Sequence, residues 1–220
     1  MSSPAPLDRR RRRRLETIEE VLDTAAEIMA EEGVAGLSLG EVARRMGIRP
    51  PSLYVYFPSK AALYDALFAR GARAVLTTME EHGALAGQPP DRTLEDVLLH
   101  AGEVFVRWAV ENQAYSQLLF WRPVPGWAPS PEAYAPAVRL LELGAEWWRQ
   151  LQRHGLLRPD ATVDDALRDW TVLTAGIVSQ QLSNAPDEPY DDGRFTASLP
   201  SLVAMFVAHY GPSGSRTPQP

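Results

Sequence analysis

Between Gly33 and Ser59 the chain carries a helix stop or start every few residues, and this punctuation decides the fold class. Gly33 ends an apolar-periodic segment that runs from about Glu16 to Glu32, with Ile18, Val21, Leu22, Ala25, Ile28 and Met29 on one face. Ser38 and Glu41 have the spacing of a capping box. The serine oxygen takes a free amide at a new helix start, and the glutamate reaches back to the cap. That second helix is short, buries Leu39, Val42, Ala43 and Met46, and stops at Gly47. Pro50-Pro51 opens a third helix at the position where a missing amide hydrogen costs nothing. Pro58-Ser59 closes it and caps a fourth, which carries Leu63, Leu67 and Phe68.

Three short helices with a tight glycine turn before the last form a helix-turn-helix, which holds one exposed helix rigidly enough to enter a DNA major groove. A plain helical hairpin within a bundle fits the spacing equally well. Leu53 and Phe57, four apart, face inward, which turns Ser52, Val55 and Tyr56 outward; Arg44, Arg45 and Arg49 flank that surface.

Net charge of −6 argues against nucleic acid only while it is averaged. Residues 1–60 hold nine Arg and one Lys against nine acids, a net of +1, and the rest of the chain carries −7. Six arginines run consecutively from Arg9 to Arg14. A solvated charge block is the default for such a run. Its place before the first helix favours contact with phosphates or the minor groove, lost on deletion of residues 1–14 in a salt-dependent way.

The string from Leu37 to Leu67 resembles the DNA-binding signature of the TetR family, through Gly47, Pro51, Ser52, Leu53, Tyr54, Tyr56, Phe57, Lys60 and Leu63. The resemblance covers roughly residues 15–68 and implies that Pro50–Phe57 is the recognition helix. It implies contacts to phosphates or bases from Ser52, Tyr54 and Tyr56, and a phosphate contact from Lys60. The expected DNA-binding set is Arg44, Arg45, Arg49, Pro51, Ser52, Tyr54, Val55, Tyr56 and Lys60. The chain departs from some members at Gly40 and Pro50, where no side chain can read a base, so Arg44, Arg49 and the basic arm take a larger share.

Beyond about residue 85 helical segments continue: 94 onward, 112–121, 131–154, 163–184 and a last one ending near Tyr210. All six tryptophans lie beyond residue 100. They suit plain core packing, or an aromatic-lined pocket for an apolar or planar ligand. Phe105, Trp108, Trp121, Trp148, Trp170 and Thr174 are the candidate ligand contacts, in the domain where the family encloses an effector. The family's final two helices pair with their copies. By that resemblance Gly176, Ile177, Gln181, Leu202 and Phe206 are candidates for a homodimer interface, and an inverted-repeat operator follows from the two-fold axis. These faces also suit intramolecular core.

The expected fold is all-α with about nine helices: a basic, disordered arm over 1–14, a helix-turn-helix domain over 15–62, an effector-binding and dimerisation domain over 63–211, and a disordered tail over 212–220. The expected function is a sequence-specific transcriptional regulator, a repressor released by an apolar or aromatic small-molecule effector. The alternatives are an activator, or a DNA-bound protein that recruits a protein partner without an effector. A closed cavity lined by tryptophans would favour the sensor; a filled core with an exposed apolar groove would favour the partner protein.

Enzymatic chemistry finds no support in the residues. The four histidines, His82, His100, His154 and His209, lack metal-ligand spacing, and no phosphate loop is present; Gly36-Leu-Ser-Leu-Gly40 matches Gly-x-Ser-x-Gly as a string, but its serine is read as a helix cap between two helical segments and not as an elbow after a strand. Asp164, Asp165 and Asp169 suit a helix start electrostatically. No cysteine occurs, and neither cofactor nor metal is expected. The longest apolar run, Leu202 to Ala208, is too short to span a bilayer, and no signal peptide follows the basic start. A cytoplasmic location, at the nucleoid when DNA-bound, is expected.

Overall fold

The computed structural model describes residues 6–85 and 92–212. Among them are nine α-helices and no strand, in keeping with the all-α expectation. The helices are α1 (Pro6–Glu32), α2 (Leu39–Arg45), α3 (Pro50–Tyr54), α4 (Lys60–Glu81), α5 (Leu94–Glu111), α6 (Gln113–Phe120), α7 (Pro131–Arg153), α8 (Val163–Asn184) and α9 (Leu199–Tyr210). No helix among the described residues is long and apolar enough to cross a membrane.

The chain divides into two compact units. The first is Met1–Gly71 with Ala114–Tyr134, and the second is Ala72–Gln113 with Ala135–Pro220. The first unit therefore extends past residue 62 along α4 and recruits most of α6 and the loop after it. A one-dimensional reading places a boundary at a single point, but here the chain returns.

In the first unit Val21, Leu22, Ala25 and Ile28 of α1 are buried with Val42, Ala43, Leu53, Phe57, Leu63 and Leu67. Gly47 turns α2 into α3 at φ 66°, a left-handed conformation that a β-carbon disfavours. Ile48 N donates to the Ala43 carbonyl at 3.0 Å, which closes the turn. The structure departs from the sequence reading at both ends of this region. α1 starts at Pro6, so the part of the expected disordered arm from Pro6 to Arg14 is helical. Proline at a helix start and a run of arginine, a strong helix former, both permit this. The recognition segment is shorter than Pro50–Phe57: α3 ends at Tyr54, and the amides of Tyr56 and Phe57 both donate to the Leu53 carbonyl, at 2.9 and 3.0 Å. The arm before Pro6 and the tail over 213–220 lie outside the described residues.

The loop after α6 packs on α4 within the first unit. Trp127 Nε1 donates to Asp65 Oδ1 at 3.1 Å, and its ring lies 5.4 Å from that of Tyr64. Gly71 lets α6 sit close, since a β-carbon there would stand 2.8 Å from the Tyr115 ring.

The second unit is built on α5, α7, α8 and α9. Trp148 is the centre of its core, with ring centroids 5.3 Å from Trp147, 6.4 Å from Trp170 and 5.7 Å from Phe206. Tyr210 of α9 donates its hydroxyl proton to Asp169 of α8, and burial followed by that bond pushes the phenol up to about 12.

Candidate nucleic-acid interface

The exposed face of the helix-turn-helix is set by what lies beneath it. Leu53 and Phe57 are buried, as their spacing predicts, and this leaves Ser52, Tyr54 and Val55 in solvent, with Tyr54 51% and Val55 67% exposed. Pro51 is exposed and shapes the start of α3 without offering a donor. From Val42 to Tyr64 the sequence contains no carboxylate. Arg49, the residue before α3, is exposed and meets no carboxylate among the described residues. Tyr56 is half-buried, with the Arg14 guanidinium 5.3 Å from its ring centre. Lys60 is exposed at the start of α4; its Nζ donates weakly to the Ala35 carbonyl at 3.4 Å and stands 5.3 Å from the Tyr64 ring centre.

Arg44 and Arg45 are more constrained than their sequence position suggests. Ser38 accepts from Glu41 N at 3.1 Å, but the Glu41 carboxylate does not return to the cap as a capping box requires. It takes Arg44 through two bonds, 2.8 and 2.6 Å, and Arg45 Nε at 2.9 Å. Two charge-assisted partners outcompete one backbone amide. Arg45 also reaches Glu31 at 2.7 Å and Glu32 at 3.0 Å, which makes it a clamp between the end of α1 and α2. Arg44 keeps most of its side chain in solvent.

This clamp predicts a pH dependence. Hydrogen bonds from Arg44 and then Arg45 hold the Glu41 carboxyl at about 2, below its ordinary 4.5. A depressed carboxylate adds stability above the unfolded value and loses it as pH falls through the folded one. The stability gap between the wild type and Glu41→Gln should therefore be full above pH 4.5 and close as pH falls toward about 2. Denaturant titrations across that range measure it, and a gap that stays constant would refute the clamp.

The six candidate ligand contacts do not converge. Trp148, Trp170 and Thr174 are interior, where they pack against neighbouring helices, and Thr174 Oγ1 donates to the Trp170 carbonyl at 3.0 Å. Trp121 is exposed and belongs to the first unit. Phe105 is half-buried on α5. Trp108 lines an open cleft of about 320 Å³ between the C-terminal half of α4 and α5, with Thr78, His82, His100, Glu103 and Arg107. Its walls are more polar than the sequence predicts. His100 Nε2 donates to the His82 carbonyl at 2.8 Å, and Arg107 pairs with Glu103 at 3.0 Å and Asp191 at 2.8 Å. Neither histidine carried a motif that would have marked it, since the two stand on separate helical segments.

The candidate dimer residues also separate. Gly176 and Leu202 lie on a groove of about 530 Å³ along α8 and α9, together with Ile177, Val172 and Phe195. Val172 and Met205 expose 67% and 68% of their surface. Gln181 and Phe206 are instead interior, contrary to the sequence reading. Gln181 is fully buried: its amide donates to the Ala185 carbonyl at 2.7 Å, and its oxygen accepts from Phe195 N at 3.1 Å. It satisfies the backbone that follows α8 and has no face left for a partner. Phe206 packs 5.7 Å from both Trp148 and Trp170.

Comparison with known proteins agrees with this geometry. Residues 21–67 match the model of bacterial regulatory proteins of the tetR family, and residues 98–205 match the model of a tetracyclin repressor-like C-terminal domain. The chain is 41% identical to the tetracycline repressor protein class C of Escherichia coli over 190 residues, covering 84% of this chain and 76% of that protein. The chain belongs to the TetR family. It is a DNA-binding transcriptional regulator. An uncharacterized HTH-type transcriptional regulator of Bacillus subtilis, YobS, is 33% identical over 95 residues, 43% of this chain; the match spans about half of that protein, 47%. Among solved structures, the putative regulatory protein SCO4313 superposes with a TM-score of 0.69 at 19% identity, over 94% of this chain and all of that one. PfmR from Thermus thermophilus, a TetR family transcriptional regulator, gives 0.65 at 19% identity over 86% and 97%. Both share the fold of this TetR-family chain.

Proposed function

We propose that this regulator is a repressor that binds an inverted-repeat operator as a homodimer through Arg49, Pro51, Ser52, Tyr54, Val55, Tyr56 and Lys60. The observation that carries the reading is a solvent-facing α3 bordered by Arg49 and Lys60, in a stretch without a single carboxylate. Phosphodiesters meet hydroxyls and cations there, beside apolar Pro51 and Val55, and no opposing carboxylate of the stretch. Arg44 adds a phosphate contact at the edge, while Arg45 acts by holding α2 against α1. The apolar groove on α8 and α9 supplies the dimer face, through Val172, Gly176 and Leu202.

An effector occupies the cleft beside Trp108, whose volume is at the lower end for small-molecule sites. Trp148 and Trp170 pack on one another and on Phe206, and at the cleft Glu103, His100 and Arg107 favour a ligand with hydrogen-bonding groups over a purely apolar one. Release follows if the effector binds more tightly to a dimer whose recognition helices mismatch the groove spacing, and the coupling is then reciprocal with DNA. Selection from sheared genomic DNA by the purified protein, with footprinting of the recovered fragments, tests the reading. The expected result is a protected inverted repeat with one dimer bound. Recovery of fragments without a shared two-fold sequence would refute it.

A further inference from the structure

We infer that the first turns of α1 are a second DNA-binding site, in which Arg10, Arg11 and Arg14 grip the phosphodiester backbone as a fixed helical edge and not as a loose basic tail. The inference rests on the DNA-binding reading above and names a contact outside the helix-turn-helix.

An α-helix turns 100° per residue, so six consecutive arginines cannot all point one way. Arg10, Arg11 and Arg14 fall on the arc of α1 that further along holds Val21, Ala25 and Ile28, all fully buried. Arg9, Arg12 and Arg13 fall on the remaining arc. The stripe that is apolar where α1 crosses the core thus becomes basic where α1 runs past it. Arg14 shows where this edge lies, because its guanidinium rests 5.3 Å from the centre of the Tyr56 ring, directly after α3. The basic edge therefore starts beside the recognition surface and continues away from it along a helix anchored in the core.

The two arcs differ in how their charge is neutralised within the helix. Toward the C-terminal side, Glu16 stands four residues from Arg12 and three from Arg13, within reach of both. Arg10 and Arg14 have no carboxylate three or four residues away on either side; Arg11 has Asp8 three residues before it, Arg12 has it four before, and Arg9 has none. All of Arg9 to Arg14 are exposed. Cations at a helix N-terminus also oppose the helix dipole, and Arg10 and Arg14 repel each other at four residues' spacing. A polyanion along this arc removes both penalties. A duplex supplies phosphates in a continuous row, and one helix rise of 1.5 Å per residue lets the three guanidinia reach neighbouring groups.

The test compares two variants of equal charge in the full-length protein: Arg10→Gln/Arg11→Gln/Arg14→Gln and Arg9→Gln/Arg12→Gln/Arg13→Gln. Binding to a labelled mixed-sequence duplex of about 40 base pairs is titrated between about 50 and 200 mM salt. The first triple should flatten the log–log salt slope by about 2–3 and weaken binding on the order of tenfold or more, while the second changes the slope by less than about 1. Equal losses in the two triples would mean a diffuse polycation and would overturn the inference, as would no loss in either. Should the first triple fail to fold, Arg10→Gln/Arg11→Gln against Arg9→Gln/Arg12→Gln makes the same comparison with the Arg14–Tyr56 contact intact. Absence of a two-fold operator would overturn the repressor reading and leave this slope comparison standing by itself.

Discussion

Replacing Tyr56 and Lys60 together with alanine is expected to weaken operator binding on the order of 100-fold at moderate salt, with the dimer unchanged. Each is expected to contact the backbone, and loss of a phosphate contact typically lowers affinity uniformly across sequences and reduces the salt slope by about one. Lys60 is exposed, and its Nζ bond to the Ala35 carbonyl is 3.4 Å long, so its removal costs the fold little. Tyr56 has a second job as the ring under Arg14. Tyr56→Phe separates the two, because it keeps the ring and removes the hydroxyl. If the hydroxyl contacts phosphate, Tyr56→Phe loses part of the affinity and Tyr56→Ala loses more. Fluorescence anisotropy with the footprinted operator, beside sedimentation for the dimer, measures both. Full operator affinity in the double variant would remove Tyr56, in the turn after α3, and Lys60 from the interface.

Most of the first unit was legible because its signals are local. Gly47, Pro50-Pro51 and the Leu53–Phe57 spacing each dictate a turn, a start or a buried face by covalent geometry alone, and the structure follows them. The misreadings there come from competition that local pattern does not register. Glu41 has the spacing to return to Ser38, yet two arginines within four residues take its carboxylate. The second unit was harder, because an aromatic at helical spacing looks the same whether it faces a ligand or another ring. Trp148 and Trp170 turn out to face one another and Phe206. Gln181 was misplaced for a related reason: a polar residue on an apolar stripe suits a solvent-accessible interface, until a backbone segment is found that needs its donors. That segment, Ala185 to Thr196, is about a dozen residues of irregular chain whose course no periodicity encodes. The cleft at Trp108 escaped because its two histidines, 18 residues apart, belong to consecutive segments and share no motif.

The charge distribution links the two units' roles. An acidic second unit repels a duplex, whereas the first unit exposes cations on α1's first turns and at Arg49 and Lys60, beside the recognition surface. Pairing refines this picture, since Arg45 is spent on three carboxylates and Arg44 on one. Arg45 is thereby committed to the fold, whereas Arg44 keeps most of its side chain in solvent for a phosphate at the edge.

Trp148→Ala should destabilise the second unit by about 3–5 kcal/mol, the usual range for removing a fully buried large aromatic. That is a large share of the ~5–15 kcal/mol by which a typical domain is stable. The cost is set by how poorly the site can collapse. Trp148 of α7 is 1% exposed and touches Trp147 on its own helix, Trp170 on α8 and Phe206 on α9, so its void would be walled by rings that cannot bend into it. Trp148→Phe keeps most of the volume and should cost clearly less. The core of the first unit contains none of these rings, so its helices should melt separately from a weakened second unit. Denaturant unfolding followed by far-ultraviolet circular dichroism would then show one transition in the wild type and an early partial one in Trp148→Ala. Loss of α7 from α8 and α9 also removes the support of the groove that carries Val172, Gly176 and Leu202, so the same variant should dissociate at lower dilution. A variant with wild-type stability would mean that Trp148 faces open space, which is the arrangement a tryptophan-lined ligand pocket requires.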